Sequence, residues 1–327
     1  MKNPRAEHNF VGRTCSITGV GSYVPEKVLT NADLEKMVET SDEWITTRTG
    51  IKERRIAAAN EFTSDLAAKA AFRAMEMAGV TALQIDLIIV ASITPDMPFP
   101  NTACVVQQKI GARRVPAFDI EAACSGFLYA LEVGQNFITA RTFETVLVIG
   151  AEKLSQWVDW TDRSTAIIFA DGAGAVVVGP VADPADGPGI GPVVWGSAGD
   201  MADKIYIKDR DSFIVQEGQA VFRWATTALH PVARRACEVA GVDPGELAAF
   251  VPHQANLRII EAIARKIGAP QAKVADDIVT AGNTSSASIP LALARMIERG
   301  EVGSGAPVLL IGFGAGICYA AQVIILP

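Results

Sequence analysis

Apolar and polar positions along the chain follow two rhythms. "IDLIIVASI" (85–93) is a short unbroken apolar run, which predicts a strand covered on both faces. Before it, "TSDLAAKAAFRAMEMAG" (63–79) carries apolar residues at helical spacing behind a Ser/Asp start signal. "NTACVVQQKIG" (101–111) opens on Asn101 as an N-cap and closes on Gly111. The same rhythm returns later. "ELAAFVP" (246–252) predicts a strand, "QANLRIIEAIARKIG" (254–268) a helix and "ICYAAQVIIL" (317–326) a strand. The polar stretch 197–219 reads as a surface excursion.

The return is a repeat. At an offset of 162, "AFRAMEMAGV" (71–80) falls on "ARRACEVAGV" (233–242) with seven of ten positions identical, and "VLVIG" (146–150) falls ungapped on "VLLIG" (308–312). The chain therefore reads as two copies of one α/β unit, residues 1–180 and 181–327. The join falls near 180–192, where "GPVADPADGPGIGP" is rich in Gly and Pro. Two such units stack their sheets with helices between and outside them, an α-β-α-β-α layering.

Composition narrows the function. With 327 residues, half of them hydrophobic, the chain can bury a large core, and a net charge of −7 argues against a nucleic-acid binder. Five scattered cysteines and three histidines without ligand spacing predict reduced thiols and no metal site. "MKNPRAEHNF" has no apolar signal core, and no apolar run approaches a membrane span, so the expectation is a soluble cytoplasmic protein with no membrane contact.

Candidate chemistry centres on "AFDIEAACSGFLYALEVGQNFITA" (117–140), a buried strand, a cluster of tiny residues and a helix. Cys124 falls at the start of the helix, where unpaired N–H groups and the dipole favour a thiolate and lower the thiol pKa. A small cysteine filling a tight junction is an equally good local reading. The offset places Cys124 on Ser286 and His253 on Ala91, so Cys124 and His253 both stand just past strands, in opposite copies. Ligands bind at such strand ends in open α/β sheets. With Asn283 in "AGNT", the pattern favours a Cys–His–Asn site. His8 and His230 carry no signal.

"AACSGF", "VPHQANLRI" and "GNTSSASIP", with "TSDEWI" near the start, resemble the β-ketoacyl-acyl-carrier-protein synthase III family of the thiolase superfamily, over nearly the whole chain. The resemblance implies a thiolase-like fold and a decarboxylative condensation initiating fatty acid synthesis, without a cofactor. Cys124 would carry an acyl group from a short acyl-CoA. His253 and Asn283 would stabilise the enolate formed from malonyl-acyl carrier protein. Backbone N–H groups of Cys124 and Ala315 would form an oxyanion hole. By the same resemblance Trp44, Arg48 and Arg163 hold the CoA adenine, Asn256 contacts pantetheine, and Phe313 is an active-site aromatic. Phe99, between two prolines, would cross a homodimer interface to close the partner's acyl pocket and favour short primers. Arg258, Arg265 and Lys266 would form a cationic helix face for acidic acyl carrier protein, against the plain alternative of a solvated face.

Related enzymes fit less well. Thiolases place a second reactive cysteine just before a glycine-rich turn and a histidine where Asn283 stands, whereas here Cys318 follows "GFGAG". Elongating condensing enzymes pair the cysteine with two histidines, and only His253 is available. "GFGAG" precedes a strand pattern, which argues against dinucleotide binding. A relative acting in secondary metabolism on another acyl donor, and a silent paralogue, are the competing classes. An intact Cys–His–Asn set argues against the second.

Overall fold

The strand Leu87–Ala91 is buried at every position, as its unbroken apolar run requires, and pairs in parallel with Val146–Lys153 on one side and Ala117–Ile120 on the other. In the computed structural model, which describes residues 14–181, 189–209 and 211–327, these strands belong to a five-stranded sheet. His8, the polar start of the chain and part of the Gly/Pro-rich join lie outside the described residues.

The first sheet runs Cys15–Tyr23, Asp171–Pro180, Val146–Lys153, Leu87–Ala91, Ala117–Ile120. The second runs Val194–Gly196, Tyr319–Ile325, Pro307–Phe313, Ala249–Pro252, Lys273–Val274. In this order each sheet has two antiparallel pairings followed by two parallel ones. The internal repeat is thus a repeat of topology.

Two helices fill the space between the sheets. Gly126–Thr139 buries Phe127, Leu128, Leu131 and Ile138, and Ser288–Glu298 buries Ile289, Leu291, Leu293 and Met296. Each such side chain contributes about 1.5–3 kcal/mol on leaving water. Thr63–Ala78 and Thr102–Ile110 cover the outer face of the first sheet, Gly218–Ala240 and Leu257–Ile267 that of the second. The result is the expected α-β-α-β-α stack of a thiolase-like fold.

Caps set the helix ends. Asn101 Oδ1 accepts from the Cys104 N–H at 2.8 Å, and Gly111 ends that helix at φ 70°. The helix at Thr63 differs from its sequence signal. Its N-cap is Phe62, whose N–H donates to Asp65 Oδ2 at 2.9 Å.

Two other expectations change. Ala117–Ile120 is half-buried throughout, because it is an edge strand with a neighbour on one side. The polar stretch 197–219 is more than an excursion. It pairs Ile205–Tyr206 with Val215–Gln216 and sends Ile205, Ile207 and Ile214 inward to wall a cavity.

Candidate active site

Strand Ala117–Ile120 ends in a tight turn, Ala123–Ser125, from which helix Gly126–Thr139 departs. Ala123 takes a left-handed backbone (φ 46°), and Ser125 Oγ donates to Ala122 O at 2.8 Å. Cys124 is thereby held in the turn before the helix, partly open to a cavity of about 920 Å³. Ala123, Ser285 and Ala315 share this end of the cavity; Leu154, Trp157 and Phe169 add to its apolar walls. The volume suits a small organic group plus its linker.

The glycine-rich turn after strand Pro307–Phe313 closes against Cys124. A Cβ on Gly314 would lie 2.5 Å from the Cys124 backbone nitrogen, so only glycine permits this approach. The next residue, Ala315, begins a tight turn, and no backbone acceptor takes its N–H among the described residues. The structure thus brings the Cys124 and Ala315 backbones together at one end of the cavity.

His253 follows strand Ala249–Pro252 and is 2 % exposed. Its backbone N–H donates to Ile311 O at 2.7 Å, and the Phe313 ring stands edge-on to the imidazole at 5.3 Å. Ring atom Nδ1 is 2.7 Å from Ser288 Oγ, which also accepts from the Gln254 N–H at 3.3 Å. The Ser288 hydroxyl has its own proton to give to Nδ1, and in that tautomer Nδ1 is the acceptor and Nε2 carries the N–H. Burial lowers the His253 pKa to about 3, so the ring is neutral at neutral pH.

Asn283 is 5 % exposed, and its backbone pairs with the end of the first half. Its N–H donates to Ile168 O at 3.0 Å, and its carbonyl accepts from Ala170 N–H at 2.9 Å. Side-chain Oδ1 accepts from Ser285 N–H at 2.9 Å. The amide Nδ2 has no hydrogen-bond partner among the described residues, and stays available as a donor.

The expected thiolate is not the resting state. Burial pushes the Cys124 thiol up to about 12; the Ser285 hydroxyl and the Cys124 N–H oppose this, and Glu152 adds to it. Ser285 Oγ is buried without a well-formed hydrogen bond at rest, so the sulfur is the partner it can serve. A helix start with its N–H groups stands beside the sulfur, but removal from water dominates.

Glu152 lies behind this turn, fully buried. Its carboxyl receives Thr94 Oγ1 at 2.7 Å, the Ile93 N–H at 3.1 Å and Ser92 Oγ at 3.2 Å. Ser286 Oγ is 2.9 Å from Glu152 Oε1 and 2.8 Å from Ala91 O. Its one hydroxyl proton is shared between these two acceptors. Burial raises the Glu152 pKa to about 7, against the hydrogen bonds from Thr94, Ser286, Ile93 and Ser92, which favour the carboxylate.

Farther out, the Arg48 and Arg163 guanidiniums lie 4.3 and 4.5 Å from the centroid of the Trp44 ring. The three expected residues do meet, with Arg163 resting on the indole. Asn256 caps helix Leu257–Ile267 by accepting from the Arg258 N–H at 2.9 Å, and donates Nδ2 to Arg48 O at 2.9 Å. Its amide joins the helix of Trp44 and Arg48 to the His253 segment.

The other candidates lie outside this cluster. Phe99 is 84 % exposed, beside cavity residues Met97 and Pro98. Arg258 lies over the Phe222 ring at 5.3 Å, Arg265 pairs with Glu261 at 3.7 Å, and Lys266 donates to Thr226 O at 2.8 Å. Ser285, Ser288 and Glu152 escape a reading of the sequence. The serines are legible there only as small residues, while Glu152 ends an apolar strand as any solvent-facing charge would.

Two family models match the chain: 3-oxoacyl-[acyl-carrier-protein (ACP)] synthase III over residues 118–199 and its C-terminal domain over residues 237–326. Beta-ketoacyl-[acyl-carrier-protein] synthase III 4 of Streptomyces coelicolor is 50 % identical over 311 residues, covering 95 % of this chain and 98 % of the relative. The synthase III of Geobacillus kaustophilus is 47 % identical, covering 93 % and 96 %. The crystal structure of 3-oxoacyl-[acyl-carrier-protein] synthase III from Aquifex aeolicus superposes with a TM-score of 0.90 at 46 % identity, covering 95 % and 99 %. The priming β-ketosynthase of the R1128 polyketide pathway superposes with a TM-score of 0.92 at 40 % identity, covering 97 % of each chain.

Proposed function

Because the chain belongs to the 3-oxoacyl-[acyl-carrier-protein] synthase III family, we propose that it is the condensing acyltransferase that joins a short acyl-CoA primer to malonyl-acyl carrier protein. The observation that carries the roles of His253 and Asn283 is the occupation of their acceptor atoms. Ser288 takes His253 Nδ1, and the Ser285 N–H takes Asn283 Oδ1. Nε2–H and Nδ2–H are then left as donors for one developing oxyanion.

Cys124 sulfur attacks the primer thioester carbonyl; the S–C bond to CoA breaks, and the thiol proton ends on the departing CoA sulfur. A neutral resting thiol avoids a buried, unpaired thiolate until substrate is in place. Malonyl-acyl carrier protein then loses CO2. The electron pair left behind forms an enolate whose oxygen faces His253 and Asn283. Its carbon attacks the acyl-Cys124 carbonyl, whose oxyanion is held by the N–H groups of Cys124 and Ala315. The tetrahedral adduct collapses, its C–S bond to Cys124 breaks to release the 3-oxoacyl carrier protein, and the Cys124 thiolate takes a proton from solvent.

The Trp44, Arg48 and Arg163 group holds the adenine of CoA, with Arg163 moving off the indole to admit the base. Asn256 stands at the mouth of the pantetheine path, and Phe313 backs His253. Edge strand Ala117–Ile120 and exposed Phe99 support a homodimer in which Phe99 closes the partner's acyl pocket, favouring acetyl or propionyl primers. Arg258, with Arg265 and Lys266, offers a face for acidic carrier protein. Decarboxylation supplies the carbanion, so the reaction asks for no cofactor, and acyl-CoA with carrier protein as substrates supports a cytoplasmic location. Among the described residues no helix is long and apolar enough to cross a membrane.

Incubation with acetyl-CoA and malonyl-acyl carrier protein tests the reading. The expected products are CO2 and a 3-oxoacyl carrier protein lengthened by two carbons. Absence of product with every short primer would sink it, and equal use of dodecanoyl-CoA would remove the pocket-length argument.

A further inference from the structure

Arg54 is 0 % exposed, and among the described residues its guanidinium bonds only neutral groups. Nε and Nη2 donate to Ile167 O at 3.1 and 2.5 Å, and Nη1 donates to Asn31 Oδ1 at 2.6 Å. Burial lowers its pKa to about 10, so it stays a cation at neutral pH. Burying a charge without a counter-ion is costly, and an apolar side chain of similar size would avoid the penalty. What this cation holds is therefore informative.

It sits at a junction of three segments. Arg54 lies just after helix Asp42–Thr49, which carries Trp44 and Arg48. Its partner Asn31 also donates to Asp42 Oδ1 at 2.6 Å, at the start of that helix. Ile167 ends the short helix Arg163–Ala166, so the same guanidinium fixes the segment bearing Arg163. Directly beyond Ile167, residues 168 and 170 make both backbone bonds to Asn283. From the other side, the Lys52 N–H donates to Val279 O at 2.9 Å, and a Cβ on Gly282 would lie 3.1 Å from Arg54 Cγ. The turn presenting Asn283 thus rests on the Arg54 stem.

We propose that Arg54 is a positioning residue that sets the Asn283 turn against both arms of the nucleotide clamp, so that the decarboxylation step depends on it more than acylation does. This rests on the function proposed above. The Cys124 backbone is set by its own turn and by Gly314, neither of which bonds Arg54, while Asn283 is held directly by residues that Arg54 supports. The Ser285 hydroxyl reaches the sulfur from the Asn283 turn, so acylation should fall too, but by much less.

The test uses the full chain, with Arg54→Gln and Arg54→Lys compared on nucleotide-free substrates. Acetyl-N-acetylcysteamine reports Cys124 acylation by intact mass, and malonyl-N-acetylcysteamine reports decarboxylation by CO2 release. Arg54→Gln is expected to keep acylation within about twofold while decarboxylation falls at least about tenfold, since small misplacement of a donor is costly in rate. Arg54→Lys, which keeps the cation, should recover part of that loss, and both variants should raise KM for acetyl-CoA. Equal loss of both half-reactions, unchanged decarboxylation, or loss of the fold in both variants would overturn the proposal. The native enzyme run alongside separates this from failure of the function itself, in which it would neither acylate nor decarboxylate.

Discussion

Ala123 and Ser285 adopt the same left-handed backbone, with φ of 46° and 48°, at the offset of 162 (285 minus 123) that relates the two halves. Each opens a tight turn before a helix that lies between the sheets, and each is followed by the middle residue of that turn. In the first half that residue is Cys124. In the second it is Ser286, whose hydroxyl ties Ala91 to Glu152. The duplication has kept a strained corner twice and given chemistry to one copy.

Such a conformation costs a non-glycine residue about 1–3 kcal/mol, and more with β-branching. The Gly314 turn also approaches this residue, since a Cβ there would come within 3.2 Å of the Ala123 Cβ. Ala123→Val should therefore lower stability by about 2 kcal/mol or more and slow Cys124 acylation. Urea unfolding together with intact mass checks both effects; unchanged acylation would show that the corner does not position the sulfur.

The two donors act after acylation. His253→Ala or Asn283→Ala should leave acylation by acetyl-CoA largely intact and lower condensation by about 10²–10³. Ser288→Ala removes the proton that fixes Nδ1 as acceptor, and should lower condensation about tenfold with the same acylation. Separate rates for the two half-reactions decide. A comparable loss of acylation would assign these residues to the wrong step.

Legibility in the sequence follows physical range. Helix rhythm, caps and the repeat depend on neighbours in the chain, so Asn101, Gly111 and the 162-residue offset can be read directly. Cys124, His253 and Asn283 emerge from their places after strands together with family motifs. Ser288 and Glu152 do not, because a serine in a small-residue run and a charge ending a strand look alike whether buried or not. The lowered Cys124 pKa expected from the sequence fails for a related reason. A helix start is visible locally, whereas the burial that outweighs it comes from segments far apart in the chain, the Gly314 turn among them.

Glu152 gives a pH signature. Its pKa rises from 4.5 to about 7 on folding. Between those values the unfolded chain releases a proton that the native state keeps, so this group's stabilising effect is lost as pH rises through the window. His253 acts in the opposite sense, its pKa falling from 6.5 to about 3, so its contribution is lost as pH falls below 6.5. The difference between native protein and Glu152→Gln isolates the acid. The variant should gain stability relative to the native chain as pH rises from about 5 to about 8. Parallel urea midpoints across that range would contradict a raised Glu152 pKa.

Trp44 should matter in proportion to the nucleotide. Trp44→Ala is expected to raise KM for acetyl-CoA by about tenfold or more, the worth of one stacked base. Acylation by acetyl-N-acetylcysteamine should not change. A similar loss with both substrates would mean that the indole supports the fold rather than the adenine.

The central claim is that Cys124 holds the acyl group, and intact-protein mass after incubation with acetyl-CoA tests it most directly. One acetyl group is expected on the native protein and none on Cys124→Ala, and malonyl-acyl carrier protein should then discharge the native adduct. Acetylation persisting in Cys124→Ala, or an adduct that malonyl-acyl carrier protein leaves untouched, would contradict the mechanism.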